Sequence, residues 1–243
     1  MALLLALAFL PVRAAAAPGP CAPLRFQDAD YSVCRFDARR DDIRLYWRDA
    51  AGKPYANFDA LAQGLKDHGR ALRFAMNAGI FETDLSPVGL FVEEGKRVKR
   101  ADTRGGETNF HLKPNGVFWI GEASAGVTET SRYLANPPPA RFATQSGPML
   151  VIDGRIHPKI QPTGTSEKVR NGVCVRDGAT AIFAISESSV TFNAFARLFK
   201  DALGCSNALF LDGTVSSLFA PDLGRDDEFS PLGPIVGVTS PAP

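Results

Sequence analysis

The stretch Asn207-Ala208-Leu209-Phe210-Leu211-Asp212-Gly213-Thr214-Val215-Ser216-Ser217-Leu218-Phe219 decides how the rest of the chain is read. Residues 208–211 are apolar and long enough for a buried strand, whereas Asp212 is costly in that core unless it is paired or stands at the edge. A strand that empties into a polar site satisfies both demands. Gly213 permits a turn or the close approach of a ligand, and Thr214, Ser216 and Ser217 offer hydrogen bonds without adding charge. Asp-Gly is also an ordinary turn signal, repeated at 153–154 and 177–178, so this pair alone leaves turn and ligand floor both open.

Outward from that stretch, the chain has 243 residues, 45% hydrophobic and 22% charged, enough for one sizeable core without a second domain. The 27 basic and 26 acidic side chains nearly cancel, which gives no general attraction to nucleic acid or an anionic membrane. Residues 1–10 are apolar, residues 14–17 are small, and Pro18-Gly19-Pro20 follows. That order predicts a secretory signal cleaved near Ala17, too short for a membrane span, and hence an exported protein, periplasmic or extracellular. The four cysteines, Cys21, Cys34, Cys174 and Cys205, suit an oxidising compartment and allow three complete pairings. Pairing sequence neighbours closes the shortest loops, and no C-x-x-C spacing supports zinc or dithiol chemistry.

Short strands dominate the remainder. Residues 31–36 and 42–47 predict a hairpin, and residues 58–66 a helix capped by Asn57. Residues 1–17 thus form the signal, 18–71 a hairpin and helix, and 72–243 a core continuous with them. Within that core, residues 72–77 read as a strand, as does the stretch 87–96, which ends in a tight turn. A second hairpin is expected from 109–113 and 117–120 around Pro114-Asn115-Gly116, followed by a loop over 122–140. Residues 142–151 suggest strand-turn-strand, and 159–168 a flexible lid or an irregular excursion. Two strands at 171–175 and 179–185 precede a helix over 192–203 capped by Thr191, and 234–238 closes the chain as an edge strand. The expected fold class is α/β in an α+β-like sense: one domain with a mixed, strand-rich sheet core and about two substantial packed helices.

Polar residues follow several of these strands: Asn77 with Glu82 and Asp84, Asn109 with His111, Gln145 with Ser146, and Asp212 with Thr214 and Ser216. Strand ends hold side chains on a rigid scaffold, so their convergence into one site is the expectation. His111 can exchange a proton near neutral pH, and Arg170 presents a fork suited to a phosphate. Neither a G-x-S-x-G elbow, a phosphate-gripping G-x-x-x-x-G-K-[ST] loop nor H-E-x-x-H occurs.

The ordered set Met76-Asn77-Ala78-Gly79-Ile80-Phe81, Pro87-Val88-Gly89-Leu90, Asn109-Phe110-His111, Ser146-Gly147-Pro148-Met149-Leu150-Val151, Arg170-Asn171-Gly172 and Leu211-Asp212-Gly213-Thr214-Val215-Ser216 resembles the phosphodiester glycosidase family. The resemblance implies hydrolysis of a sugar 1-phosphodiester to free sugar and phosphate monoester, acting on a phosphate-linked sugar or glycan. The resemblance covers Asn77, the His111 segment, Arg170, Asp212-Gly213 and Ser216; with Glu82 as a reserve acid or base, the catalytic candidates are Asp212, Glu82 and His111. Asn77, Arg170, Gly213, Thr214 and Ser216 are the substrate-binding ones. No cofactor and no metal ligands are expected, with room left for a divalent cation. Two other readings compete: a non-catalytic periplasmic glycan-binding protein, and a phosphodiesterase that cleaves phosphorus from oxygen.

Overall fold

The computed structural model describes residues 19–242. The signal segment expected over 1–17 lies outside the described residues. Three larger sheets carry the fold, and every described strand pairing is antiparallel. The strand-rich core is therefore as expected, but α+β is the better label. There are no parallel β-α-β crossovers among the described strands to justify α/β.

The seven-stranded sheet runs Cys21–Phe26, Ala29–Asp37, Thr180–Ser186, Asn171–Arg176, Ala208–Asp212, Met149–Ile152 and Arg155–Ile156 in space. Ala208–Asp212 sits inside it, and its side chains alternate between two cores. Leu209 and Leu211 join Phe36, Phe74, Phe118 and Phe183 in the cluster between the sheets. Ala208 and Phe210 join Phe195 and Phe199 under the helix Phe192–Arg197. A strand buried on both faces has nowhere to put a charge except at its end, and Asp212 is that end.

A five-stranded sheet, ordered Arg225–Asp226, Leu218–Ala220, Arg70–Asn77, Ile235–Pro241 and Asp42–Tyr46, brings Asn77 alongside. The third sheet runs Lys96–Lys99, Phe91–Glu93, Phe142–Ser146, Gly116–Ile120 and Ala125–Glu129. Helix Phe58–Lys66 forms as its spacing requires, with Asn57 Oδ1 accepting from Ala60 N at 2.7 Å and Phe58, Leu61 and Leu65 buried. Thr191 caps its helix likewise, and a π-helical turn, Leu198–Ala202, continues it. Cys21 is bonded to Cys34 and Cys174 to Cys205, the two pairings that close the shortest loops.

Several expectations are corrected. The strands near residues 31–36 and 42–47 both form, yet they belong to different sheets, and the first hairpin instead joins Cys21–Phe26 to Ala29–Asp37. Residues 109–113 form turns, closed by His111 N and Leu112 N donating to Thr108 O, each at 2.9 Å, so the hairpin with Gly116–Ile120 does not exist. That strand pairs with Ala125–Glu129, inside the stretch expected to be a loop, and helix Thr130–Ala135 follows. Ile235–Pro241 is no edge: it lies between Arg70–Asn77 and Asp42–Tyr46, its core-facing Val236 and Val238 buried. In the last two cases the alternation of small and apolar residues in a short run understated how much partner surface the fold supplies.

Candidate active site

Antiparallel pairing sets Asn171 opposite Asp212, with a register irregularity between Asn171 and Gly172. The Asn171 side chain then joins two sheets. Its Nδ2 donates to Asn77 O and Asn77 Oδ1, both at 2.9 Å, while its Oδ1 accepts from Asp212 N at 2.9 Å. Asn77 in turn grips the loop beyond the aspartate: its Nδ2 donates to Val215 O at 2.5 Å and its Oδ1 accepts from Ser217 N at 3.0 Å. Ser216 Oγ donates to Val169 O and Asp212 O at 3.2 and 3.1 Å. Asn77, Asn171 and Ser217 are buried, so each of these bonds answers a polar group that would otherwise be stranded.

Within this knot Asp212 is only 6% exposed. Its Oδ1 accepts from the backbone of Gly213 at 2.6 Å, Thr214 at 2.8 Å and Val215 at 3.4 Å. No described residue donates to Oδ2, and that atom is not sealed from solvent. Burial pushes the carboxyl above its ordinary value, and the three backbone donors oppose that shift without cancelling it.

Arg170, the residue before Asn171, is 1% exposed. Its Nε donates to Val190 O at 2.9 Å and its Nη2 to Ser166 O at 2.7 Å, and its guanidinium lies 3.6 Å above the Phe192 ring. Burial lowers its pKa to about 10, and no carboxylate offsets the loss of water. The arginine is still charged at neutral pH. Gly213 is needed here because a Cβ would stand 2.9 Å from Phe210 Cζ and 3.3 Å from Arg170 Nη1. The glycine thus allows guanidinium and aspartate turn to meet.

Gly213, Thr214, Val215, Ser216 and Ser217 floor a cleft of about 550 Å³, with Lys168, Glu187, Arg225 and Phe229 among its walls. Asn77, Arg170, Gly213, Thr214, Ser216 and Asp212 are therefore gathered at or directly beneath one cleft. His111 and Glu82 belong elsewhere. His111 Nδ1 meets Thr108 Oγ1 at 2.8 Å, and its Nε2 meets Asp102 Oδ2 at 3.3 Å. Arg104 holds the Asp102 carboxyl well below the ordinary range. Glu82 is exposed in a turn, its N donating to Ser86 O at 2.8 Å, and its charge reaches Arg104. No hydrogen bond or ion pair among the described residues joins this second cluster to Asp212. Gln145 and Ser146 stand between them: Gln145 Oε1 accepts from Asp102 N at 2.9 Å, and Ser146 Oγ donates to Leu211 O at 2.9 Å.

Asn171 is the residue that sequence reasoning passed over, although its place between Arg170 and a glycine at a strand start pointed to it. Asp102 carried no such signal, because its link to His111 depends on a turn. Asp59, Asp226 and Glu228 bring carboxylate oxygens within 4.8 Å of one another, an exposed acidic trio of a kind common on surfaces without a metal.

A strand-rich α+β domain whose strand ends converge under a polar cleft defines the class of small-ligand or catalytic scaffold. The chain belongs to the phosphodiester glycosidase family, whose profile matches residues 70–237. It is 33% identical over 217 residues, 88% of this chain and 83% of the other, to the uncharacterized protein YigE of Escherichia coli (strain K12). Its fold is similar to the zebrafish N-acetylglucosamine-1-phosphodiester alpha-N-acetylglucosaminidase catalytic domain, auto-inhibited by its pro-peptide. That match has a TM-score of 0.62 at 15% identity and covers 90% of this chain and 81% of the zebrafish one. A Burkholderia pseudomallei protein described as exported matches at TM-score 0.52 and 10% identity, over 88% of this chain and 74% of that one. The two disulfides fit an exported protein, and among the described residues no helix is long and apolar enough to cross a membrane.

Proposed function

We propose that this protein is an exported, periplasmic or extracellular hydrolase that cleaves the bond between sugar C1 and oxygen in a sugar 1-phosphodiester. One observation carries the reading: the buried Arg170 guanidinium approaches Gly213, the residue after the buried Asp212, and forms no ion pair with a carboxylate among the described residues. A buried unpaired cation is costly, and an anionic substrate group is the partner that relieves it. Family membership and the likeness to the zebrafish enzyme support the same substrate class.

In this reading the anomeric carbon sits over Asp212 and the phosphoryl oxygens face Arg170 and Lys168. Asp212 takes a proton from water as the water oxygen bonds to C1, and the C1–O bond breaks with its electrons leaving on the phosphate monoester. Phosphate leaves readily, so the reaction needs charge stabilisation more than a strong general acid. Burial strengthens Asp212 as a base, and the backbone donors on Oδ1 leave Oδ2 to act. Asn77 and Ser216 hold the loop under the sugar, while Gly213 and Thr214 offer it backbone and hydroxyl contacts. His111 and Glu82 lie in the separate Asp102 cluster, so this reaction assigns them no step at the phosphate and leaves them accessory candidates only.

The test is turnover of a panel of sugar 1-phosphodiesters in oxygen-18 water. Label in the free sugar is the expected result. Label in the phosphate identifies a phosphodiesterase instead, and binding of panel members without turnover identifies a glycan-binding protein.

A further inference from the structure

Among the described residues, three large hydrophobic side chains are exposed, and Phe229 at 78% far exceeds Val98 at 47% and Leu134 at 43%. Its position makes it unusual. Phe229 and Ser230 line the cleft of about 550 Å³ over Gly213–Ser217, and they also line a groove of about 330 Å³ formed with Ala56, Asn57, Asp59 and Leu232. The aromatic ring is thus the ridge between two concavities, one floored by the loop that follows Asp212 and the other holding amide and carboxylate groups.

Resting on the reaction proposed above, we infer that Phe229 is a specificity-determining residue. It stacks on a saccharide ring on the leaving side of the phosphate, and the glycan continues over it into the Asn57–Asp59 groove. Three observations lead there. A monosaccharide and one phosphate do not fill a cleft in the size range of drug-sized ligands. An exposed aromatic face marks an interaction site, and a sugar ring presents an apolar C–H face to meet it. Beyond the ridge Asp59 offers carboxylate oxygens to sugar hydroxyls and Asn57 offers its Nδ2 as a donor, its Oδ1 being used to cap Ala60 N, whereas Arg225 is already held by Glu187 at 2.6 Å and Asp227 at 2.9 Å. An acyclic alcohol such as glycerol offers no face to stack and does not reach the groove.

The experiment compares two substrates with the same sugar 1-phosphate, one esterified to a disaccharide and one to glycerol. The wild type favours the disaccharide ester in kcat/KM by about tenfold, Phe229→Ala removes that preference and Phe229→Trp keeps it. Phe229 is exposed, so these substitutions leave the core intact. An equal kcat/KM for both substrates in the wild type, or a preference that survives Phe229→Ala, overturns the inference. Titration calorimetry with the disaccharide's phosphate monoester reads the ridge without turnover, and Phe229→Ala weakens that binding about tenfold. Phe229-dependent binding without turnover of any ester sinks the hydrolase reading and keeps the ridge; turnover with Phe229-independent binding does the opposite. Light scattering that shows a dimer in the wild type and a monomer in Phe229→Ala assigns the ring to self-association and removes it from substrate recognition.

Discussion

The Asp212 knot and the His111 loop both contain a carboxylate with several donors, yet they are built in opposite ways. Asp212 ends a strand buried on both faces, and Asn171 and Asn77, from two different sheets, hold the chain around it. Asp102 and His111 lie nine residues apart in one irregular stretch, and Arg104 and Thr108 satisfy them from within that same stretch. The first arrangement raises a carboxyl's proton affinity by enclosing it; the second lowers it by pairing it. Enclosure leaves a group with unspent chemistry, and local pairing spends it.

The largest effect therefore falls on Asp212. Asp212→Asn lowers kcat by about a thousandfold or more in a single-turnover assay, because the base is gone while the amide oxygen still accepts the same backbone donors. Its pH behaviour follows in sign. The folded state binds the Asp212 proton more tightly than the unfolded chain does. Ionising this group consequently costs stability, a cost absent below the ordinary aspartate range and growing as pH rises through the elevated folded value. The melting temperature of Asp212→Asn should gain on the wild type between pH 4 and pH 7, and wild-type kcat/KM should rise over the same window. A gap that stays constant with pH would show that the carboxyl is not perturbed.

Arg170 ranks next. Replacing it by Met removes an unpaired buried charge, so the melting temperature holds or rises, while KM for a phosphodiester climbs about a hundredfold. A large drop in stability with unchanged KM would make the arginine a structural clamp on Val190 and Ser166. Asn171→Ala follows: it strips partners from Asn77 O and Asp212 N and costs about 3 kcal/mol in denaturant unfolding. The loosened strand end also lowers kcat by about tenfold.

Much of the scaffold was legible because its signals are local. The run before Asp212, the Asn57 cap and the Asp177-Gly178 turn, both of whose residues have positive φ, each carry their conformation in neighbouring residues. Which strands pair is not local. Residues 31–36 and 42–47 were rightly strands, but only the competition among all hydrophobic faces sends them to separate sheets. The site divides in the same way. Asp212 and Asn77 could be read from strand ends, while Asn171 acquired its part only when pairing set it opposite Asp212 and beneath Asn77. Phe229 looked like any residue of a turn-rich tail, since exposure is a property of the folded surface.

His111 sharpens the comparison with the smallest effect. Both ring nitrogens already have partners in Thr108 and Asp102, so the side chain has to give one up before it can exchange a proton with substrate. His111→Gln keeps hydrogen-bonding capacity and should lower kcat about threefold to tenfold, far less than Asp212→Asn. Asp102→Asn should reproduce that loss if Asp102 works by holding the imidazole, and the double variant should then be no worse than either single one. A thousandfold loss in His111→Gln would break the comparison outright, because it would mean that a locally paired loop, and not the enclosed strand end, supplies the principal catalytic group.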